Sequence, residues 1–542
     1  MKNRSPRASN KYRYLCCGLA LLLLGAAVPL AADTVVIPDE IQAIVSAPRY
    51  CHAWWGLLAQ DVHTGRIICA WHPDLLFHPA SVTKLFSAAA ALEQLGGDYR
   101  FHTPLYINGN LDSRGVVRGD LILVASGDIT MGGRTRPDGR IAYSGIEQSA
   151  VGDKSGVQNA PAKTNPLAGI RRLARQATSA GIKAVTGEVI VDDRLFPTSS
   201  VYSVKNPGMV IFHRSPIMIN DNLFDIVISP TRRGMPAAVD WRPRLLPLLQ
   251  VVSTVRTVAP AQTPRLEVTP SGFGKFLISG EIPEGHPPIV RETAVPDAAS
   301  YARALLIAAL RKEGIKMKAS PATPNPFRRL PQAAAYQRFV KVAELVSPPL
   351  TEYLRMILKD SHNPGAEIIP HLLALQAGGN SFAEGMQRQK LLLSRFSADP
   401  GSISLADGSG LSQANLVTPR AVVALLAHMT RQRHGLFFRE ALPLLGVDGT
   451  LMRSGRDSPA RGRISGKTGT LITVDLLHDS AIMDGKSLAG YMMTAAGREV
   501  VFAFFVNFVH STDVRGREET RKFTGEIGAD LLRIAEAIHL AN

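Results

Sequence analysis

Near the start of the chain, Lys2, Arg4, Arg7, Lys11 and Arg13 precede an unbroken apolar run from Leu15 to Ala32 that ends in small residues. That order of charge, hydrophobic core and small residues is the pattern of a secretory signal, with cleavage after Ala27 or Ala32. A run of about 18 residues is also the lower end of a membrane span, so an uncleaved anchor stays open. Further on, Trp54 to Gln60 and Arg66 to Trp71 are short apolar stretches around His63-Thr64-Gly65 and predict a strand hairpin. The following HPASVTKLFSAAAALEQLGG predicts a helix that starts near Ala80-Ser81, runs through strong helix formers and stops at Gly96-Gly97.

From about Tyr99 to about Leu330 the texture changes. Short β-rich pieces such as DLILVAS and GEVIVDD alternate with Pro- and Gly-rich turns, and residues 132–166 form a polar, glycine-rich loop. Helical periodicity returns from about Tyr336, notably in PPLTEYLRMILKDSHNPGAEIIPHLLALQ. The chain then predicts strand RISGKTGTLITV, a connection, strand SLAGYMMTA, turn AGRE, strand VVFAFFVNF and a helix from about Thr520 to Leu540. A hairpin first, three strands last and helices between imply that the two ends meet in one sheet. The organisation is therefore a signal (1–32), a first segment (33–97), an inserted β-rich module (98–335, with an inner part at about 198–286) and a last segment (336–542). This is an α/β (α+β) sheet-and-helix domain split by a large insert.

Composition changes this picture little. A length of 542 residues suits two or three domains, and 45% hydrophobic with 20% charged residues is a globular balance. The formal charge of +16 would suit an anionic partner, but the basic residues are scattered and no nucleic-acid motif accompanies them. The charge is compatible with peripheral association with membrane or envelope polymers; nucleic acid is not a predicted partner. Cys16 and Cys17 fall inside the signal, leaving Cys51 and Cys69 on either side of the hairpin. In simple register Cys69 faces about residue 58 rather than Cys51, so a disulfide is left open. Neither cysteine lies in a CxxC or His-rich context, and no metal site is predicted.

Three short motifs carry chemistry. In Ser81-Val82-Thr83-Lys84 the serine and lysine sit three apart on a helix, so the amine reaches the hydroxyl one turn earlier. A helix start also favours a developing oxyanion. Acting as base, the lysine must be neutral; moving its pKa from about 10.4 to about 7–8 costs roughly 4 kcal/mol, which burial and a nearby cation can supply. In Ser361-His362-Asn363, between two helices, a hydroxyl can relay a proton and an amide can bind a peptide carbonyl. In Lys467-Thr468-Gly469, followed by Thr470, a strand offers a cation and a hydroxyl to a carboxylate. Its glycine implies that another backbone comes close, as when a substrate pairs with the strand edge. Each motif alone is more often a capping residue or a surface lysine. Gly462 to Thr468 nearly spells a phosphate-binding loop but is one residue short and precedes a strand, so it is rejected. Lys154-Ser155-Gly156 mimics the third motif but lies in the polar loop, ahead of the S-x-N element. No G-x-S-x-G or H-E-x-x-H is present.

The order S-x-x-K, S-x-N, K-T-G on helix, loop and strand resembles the penicillin-recognising serine enzymes. The long stretch from Leu85 to Asp360 between the first two motifs is similar to class C low-molecular-mass penicillin-binding proteins, the D-alanyl-D-alanine carboxypeptidase/endopeptidases. HPASVTKLFSAAAAL, GDLILVASGD, SPIMINDNLFDIVISP, LADGSGLSQANLVTPRAVVALL and LPLLGVDGTL carry the same resemblance, which covers nearly all of the chain beyond the signal.

The resemblance implies a β-lactamase/transpeptidase-like fold, periplasmic location and hydrolysis of D-alanyl-D-alanine termini or D-alanyl crosslinks in peptidoglycan peptides. Ser81 would be the acylated nucleophile and Lys84 its base. Ser361, Asn363 and Lys467 would form the relay and binding wall, and Thr468 would hold the terminal carboxylate. The backbone N–H groups of Ser81 and Thr470 would form the oxyanion hole. Asp407 and Ser409 would line the cleft, although a glycine turn capping a helix accounts for that loop equally well. β-Lactams would acylate the same serine, and no cofactor is implied. Two departures stand out: the turn Ser126-Gly127-Asp128-Ile129-Thr130 where a GGDPT-like one is expected, and a long Leu477–Lys486 stretch after the third motif. They leave substrate reach open. The rival readings are a β-lactamase or esterase on the same fold and a catalytically vestigial peptidoglycan-binding protein.

Overall fold

The hairpin at the start of the chain and the three strands at its end share one antiparallel sheet. In a computed structural model describing residues 37–143, 165–202, 210–242, 250–271, 275–396 and 399–542, that sheet is built from β1 (Trp54–Asp61), β2 (Ile67–Trp71), β3 (Ile464–Asp475), β4 (Ser480–Met493) and β5 (Glu499–Asn507), in the spatial order β2-β1-β5-β4-β3. β1 and β5 read as continuous apolar runs because both faces of the sheet are covered. Val501, Ala503 and Phe505 pack toward the helices on the Ser81 side, while Val500, Phe502, Phe504 and Val506 pack on the other face. The carboxyl-terminal helix covers that second face through Ile527, Leu531 and Ile534. The period-2 split of VVFAFFVN is what sorts these side chains.

On the Ser81 side lie α1 (Thr83–Leu95), α2 (Leu350–Lys359), α3 (Asn363–Gln376) and α4 (Pro419–Thr430). α1 is entered through a 3-10 turn at Ala80–Val82 and ends at Gly96, whose φ of 82° is cheap only for glycine. Its Ala88–Ala91 run is wholly buried, so the helix can lie close against its neighbours.

The middle of the chain forms further sheets. One runs in the order Lys316–Met317, Ala184–Val185, Val116–Val124, His102–Leu111, Val340–Val346, and Val189–Asp192 also pairs with Val116–Val124. Two smaller sheets follow within 223–294. Two helices, Ala168–Ser179 and Ala298–Lys312, pack against the first sheet, with Ile170, Leu173, Ala174 and Ala177 at helical spacing in its core. Helical periodicity does not in fact resume at Tyr336. Residues 340–346 are a strand paired with His102–Leu111, so this sheet draws on residues beyond the expected boundary at 335.

The long stretch after the third motif resolves differently too. β3 continues to Asp475 and β4 begins at Ser480, with Asp475 opposite Ser480, so the turn is tight and residues 480–486 are strand. Buried Ala481 and Met483 carry the alternation that closes this extension. Cys51 and Cys69 are both free; Cys69 lies opposite Ala59, one residue from the register expected. The apolar run 15–32 and Lys154-Ser155-Gly156 lie outside the described residues. Among those described, no helix is long and apolar enough to cross a membrane.

Candidate active site

The turn before α1 is strained into place. Ala80 adopts φ 47°, in the left-handed region, and turns the chain so that Ser81 stands at the helix entry, 8% exposed. Lys84, one turn on, is fully buried, with Nζ 2.9 Å from Ser81 Oγ, 2.6 Å from Asn363 Oδ1 and 2.6 Å from the Ser409 carbonyl. Those contacts suit either protonation state. A neutral amine has two N–H donors for Asn363 and Ser409 and a lone pair for the Ser81 hydroxyl; an ammonium has a third donor for Ser81 Oγ.

Asn363 is the first residue of α3. The chain reaches it through Ser361, whose φ of 57° is unusual for a non-glycine residue and costs of order 1–3 kcal/mol. Ser361 Oγ accepts a hydrogen bond from Lys467 Nζ at 3.0 Å, and Lys467 also donates to the Thr468 carbonyl at 2.7 Å. Accepting with a lone pair leaves the serine its own proton to give. Thr468 Oγ1 lies 2.7 Å from Thr450 Oγ1, and Thr470 Oγ1 accepts from Lys486 at 2.7 Å.

Another backbone does come close to the glycine of Lys467-Thr468-Gly469, and it belongs to the chain's own fold. A Cβ there would come within 2.1 Å of Ser487 Oγ and 2.6 Å of the Pro79 carbonyl. The backbone that approaches is the Pro79–Ala80 turn ahead of Ser81, which Ser487 also holds by donating to Pro79 O at 2.7 Å. Gly469→Ala should therefore push β3 away from Ser81, lowering stability by about 1–3 kcal/mol and slowing acylation. Chemical denaturation and a labelling time course with a fluorescent penicillin measure both.

Asp407 and Ser409 belong to a loop that organises the cleft. Asp407 accepts from the N–H groups of Ser409, Gly410 and Ser412 and from Asn415 Nδ2, so its carboxylate is spent on shaping the loop. Ser409 contributes its carbonyl to Lys84. Gly410, at φ 89°, has no room for a side chain because a Cβ would meet the Ala80 carbonyl at 1.8 Å.

Sequence reasoning missed Glu367. It stands one turn after Asn363, and that i,i+4 spacing in an otherwise apolar helix was the available signal. Its carboxyl is 2% exposed, accepts from Ser409 N at 3.0 Å and lies 3.3 Å from an Arg214 guanidinium nitrogen. Burial first, then the neighbouring Asp407 charge, push its pKa up to about 7 against the opposing pull of Arg214, the Ser409 N–H and Lys84. A raised carboxyl stays protonated in the fold after the unfolded chain has ionised. Its contribution to stability is full below about pH 4.5 and is lost as pH rises toward 7. Glu367→Gln should flatten that pH dependence, seen as a smaller change in denaturation midpoint between pH 5 and pH 8 than wild type shows.

The insert reaches the second motif. His362 Nδ1 accepts from Gly365 N at 3.0 Å, and its Nε2 lies 3.0 Å from Asp221, which Arg134 also pairs at 2.8 Å. Burial alone would raise the Asp221 carboxyl, but His362 and Arg134 outweigh it and hold it well below the usual carboxylate range. Asp128 of the divergent turn accepts from Thr130 N, Met131 N and the Tyr353 hydroxyl, tying the insert to α2. Burial raises its pKa against those bonds.

A family model described as D-Ala-D-Ala carboxypeptidase 3 (S13) matches residues 38–524. A D-alanyl-D-alanine carboxypeptidase from Actinomadura sp. (strain R39) is 26% identical over 482 residues, 85% of this chain and 81% of that protein. The D-alanyl-D-alanine carboxypeptidase DacB of Haemophilus influenzae is 25% identical over 472 residues, 85% of this chain and 87% of its own. The crystal structure of penicillin binding protein 4 from Haemophilus influenzae has the same fold, with a TM-score of 0.66 at 22% identity, covering 90% of this chain and 99% of that one.

Proposed function

Because the chain belongs to the D-Ala-D-Ala carboxypeptidase 3 (S13) family, we propose that its serine DD-peptidase activity is carried by Ser81 as nucleophile, Lys84 as base and the groups gathered around them. The chain is a serine hydrolase of D-alanyl-D-alanine peptides, in keeping with the names of its relatives. The observation that carries the residue assignment is the buried Lys84 amine at 2.9 Å from Ser81 Oγ.

In acylation, Ser81 Oγ attacks the D-alanyl carbonyl as its proton passes to Lys84 Nζ, whose other two contacts orient it throughout. The C–N bond to the leaving D-alanine or peptide amine breaks, and Ser361, polarised by Lys467, gives that nitrogen its proton and is restored by the proton Lys84 had taken, leaving the lysine neutral. Lys467 and Thr468 hold the substrate's terminal carboxylate, and Gly469 and Thr470 present the strand edge. The N–H groups of Ser81 and Thr470 receive the developing oxyanion. Water then attacks the ester carbonyl as the neutral Lys84 takes its proton, and that proton passes to Ser81 Oγ as the C–O bond breaks, restoring the free serine. Asp407 and Ser409 act by positioning: the first shapes the loop whose second carbonyl orients the lysine.

Peptidoglycan peptides are the proposed substrates, as free D-alanyl-D-alanine termini and as D-alanyl crosslinks, in the periplasm. β-Lactams are the proposed covalent inhibitors; a complex with a β-lactam is known for the Haemophilus influenzae protein. We further assign residues 336–542 and 33–97 to the catalytic domain and 98–335 to the insert, with 340–346 lent to the insert's sheet. The deciding measurement is intact-protein and peptide mass spectrometry after brief exposure to benzylpenicillin. A lasting adduct on the Ser81 peptide is the expected result. Rapid loss of the drug without an adduct would make the chain a β-lactamase, and intact drug without an adduct would make it a binding protein.

A further inference from the structure

Beyond the catalytic cleft, the outer end of the β3–β4 hairpin gathers three metal-ligating side chains from separate pieces of chain. Asp475 closes β3, His478 lies in the tight turn, and His510 belongs to a two-residue strand, Val509–His510, that pairs with Ile482 and Met483 of β4. His478 Nδ1 and His510 Nε2 each lie 2.7 Å from the same oxygen, Asp475 Oδ2. The three donor atoms all fall within 4.8 Å of one another. The imidazole centroids are 5.5 Å apart at 59°, an inclination that lets two lone pairs converge on one point. Asp475 is largely sheltered while His478 is 41% exposed, so the cluster opens to solvent on one side.

We propose that Asp475, His478 and His510 form a binding site for a borderline divalent transition-metal ion, zinc in the first instance. Two imidazoles and one carboxylate match the donors of zinc and its neighbours and are poor for magnesium or calcium, which take oxygen ligands. A tetrahedral ion about 2.1 Å from each donor needs those donors roughly 3.4 Å apart, within reach of sub-ångström side-chain shifts. Each imidazole would turn its lone pair to the ion and carry its proton on the other nitrogen. Water completes the fourth position from the open side. The ion would have a bracing role. β3 also carries Lys467-Thr468-Gly469, and its outer half is joined to the loop of Asp407 by Gln413, which donates to Thr473 Oγ1 and Asp484 Oδ2 at 2.9 Å each. Fixing the hairpin tip stiffens that wall from its free end.

The test uses the full chain without an affinity tag, treated with chelator and titrated with zinc chloride in a calorimeter, with magnesium and calcium chlorides as controls. One zinc per chain and no heat from the controls is expected. Asp475→Asn, His478→Ala and His510→Ala should each weaken binding by more than the roughly 10–100-fold that loss of an outer-shell partner costs. Hydrogen exchange of the wild-type chain should slow on zinc addition at residues 474–481 and 509–511. That comparison needs no variant, so it decides the matter even if a substitution unfolds the tip. Absence of zinc binding, binding that survives all three substitutions, or binding without protection at the tip overturns the proposal. None of these readouts depends on Ser81.

Discussion

Ser81→Ala abolishes the benzylpenicillin adduct and lowers hydrolysis of a D-alanyl-D-alanine peptide by at least about 10³-fold, with little change in stability. The chemical loss is large because no other group can form the acyl-enzyme, and residues that act as a unit lose nearly everything when the nucleophile goes. The stability change is small because the hydroxyl bonds to Lys84, whose amine keeps Asn363 and Ser409 as acceptors. Thermal unfolding beside a peptide-release assay separates the two effects. An adduct that persists on another residue of the Ser81→Ala protein would end the assignment.

Lys84→Met should be the second most damaging change and, unlike the first, should strike both properties. Removing the base slows acylation by about 10²–10⁴-fold. The thioether roughly fills the space but donates nothing, so Asn363 Oδ1 and the Ser409 carbonyl lose their lysine donor inside the protein. Each buried acceptor left unsatisfied costs about 1–3 kcal/mol. Acylation rates against penicillin concentration, with urea denaturation, give both numbers. Acylation at the wild-type rate would show that the proton leaves Ser81 by another route.

The motifs and the two chain ends were legible because local rules determine them. Ser81 and Lys84 follow from helical spacing, the hairpin from Gly65 and the apolar strands beside it, and β5 from its uninterrupted apolar run. What escaped depends on contacts between distant segments. Gly469 is a glycine because Pro79 and Ser487 crowd it, a fact written at residues far from the motif. Glu367 is a single acid in an apolar helix, and only the Asp407 loop and Arg214, folded onto it, make it part of the lysine's surroundings. The strand at 340–346 has exposed Val340 and Val346 at its ends, so its alternation is weak, and pairing with His102–Leu111 determines it. The role of His362 comes from the insert, whose Asp221, itself paired with Arg134, meets it. The insert is thus in contact with the second motif, and changes in it can be felt at the cleft.

The sheet that supports this site joins an early strand to a late one. Trp54 of β1 lies opposite Asn507 of β5, and the Lys467-Thr468-Gly469 strand that completes the site also comes late in the chain. Pairings of such separation carry a high loop-closure cost and form slowly. A nascent chain therefore holds its Ser81-Val82-Thr83-Lys84 helix long before that helix has a wall to work against. Arming waits for β3 to β5, and a product terminated before β4 that still contains Ser81 has no strand to bring the serine and Lys467 together, leaving it blind to β-lactams.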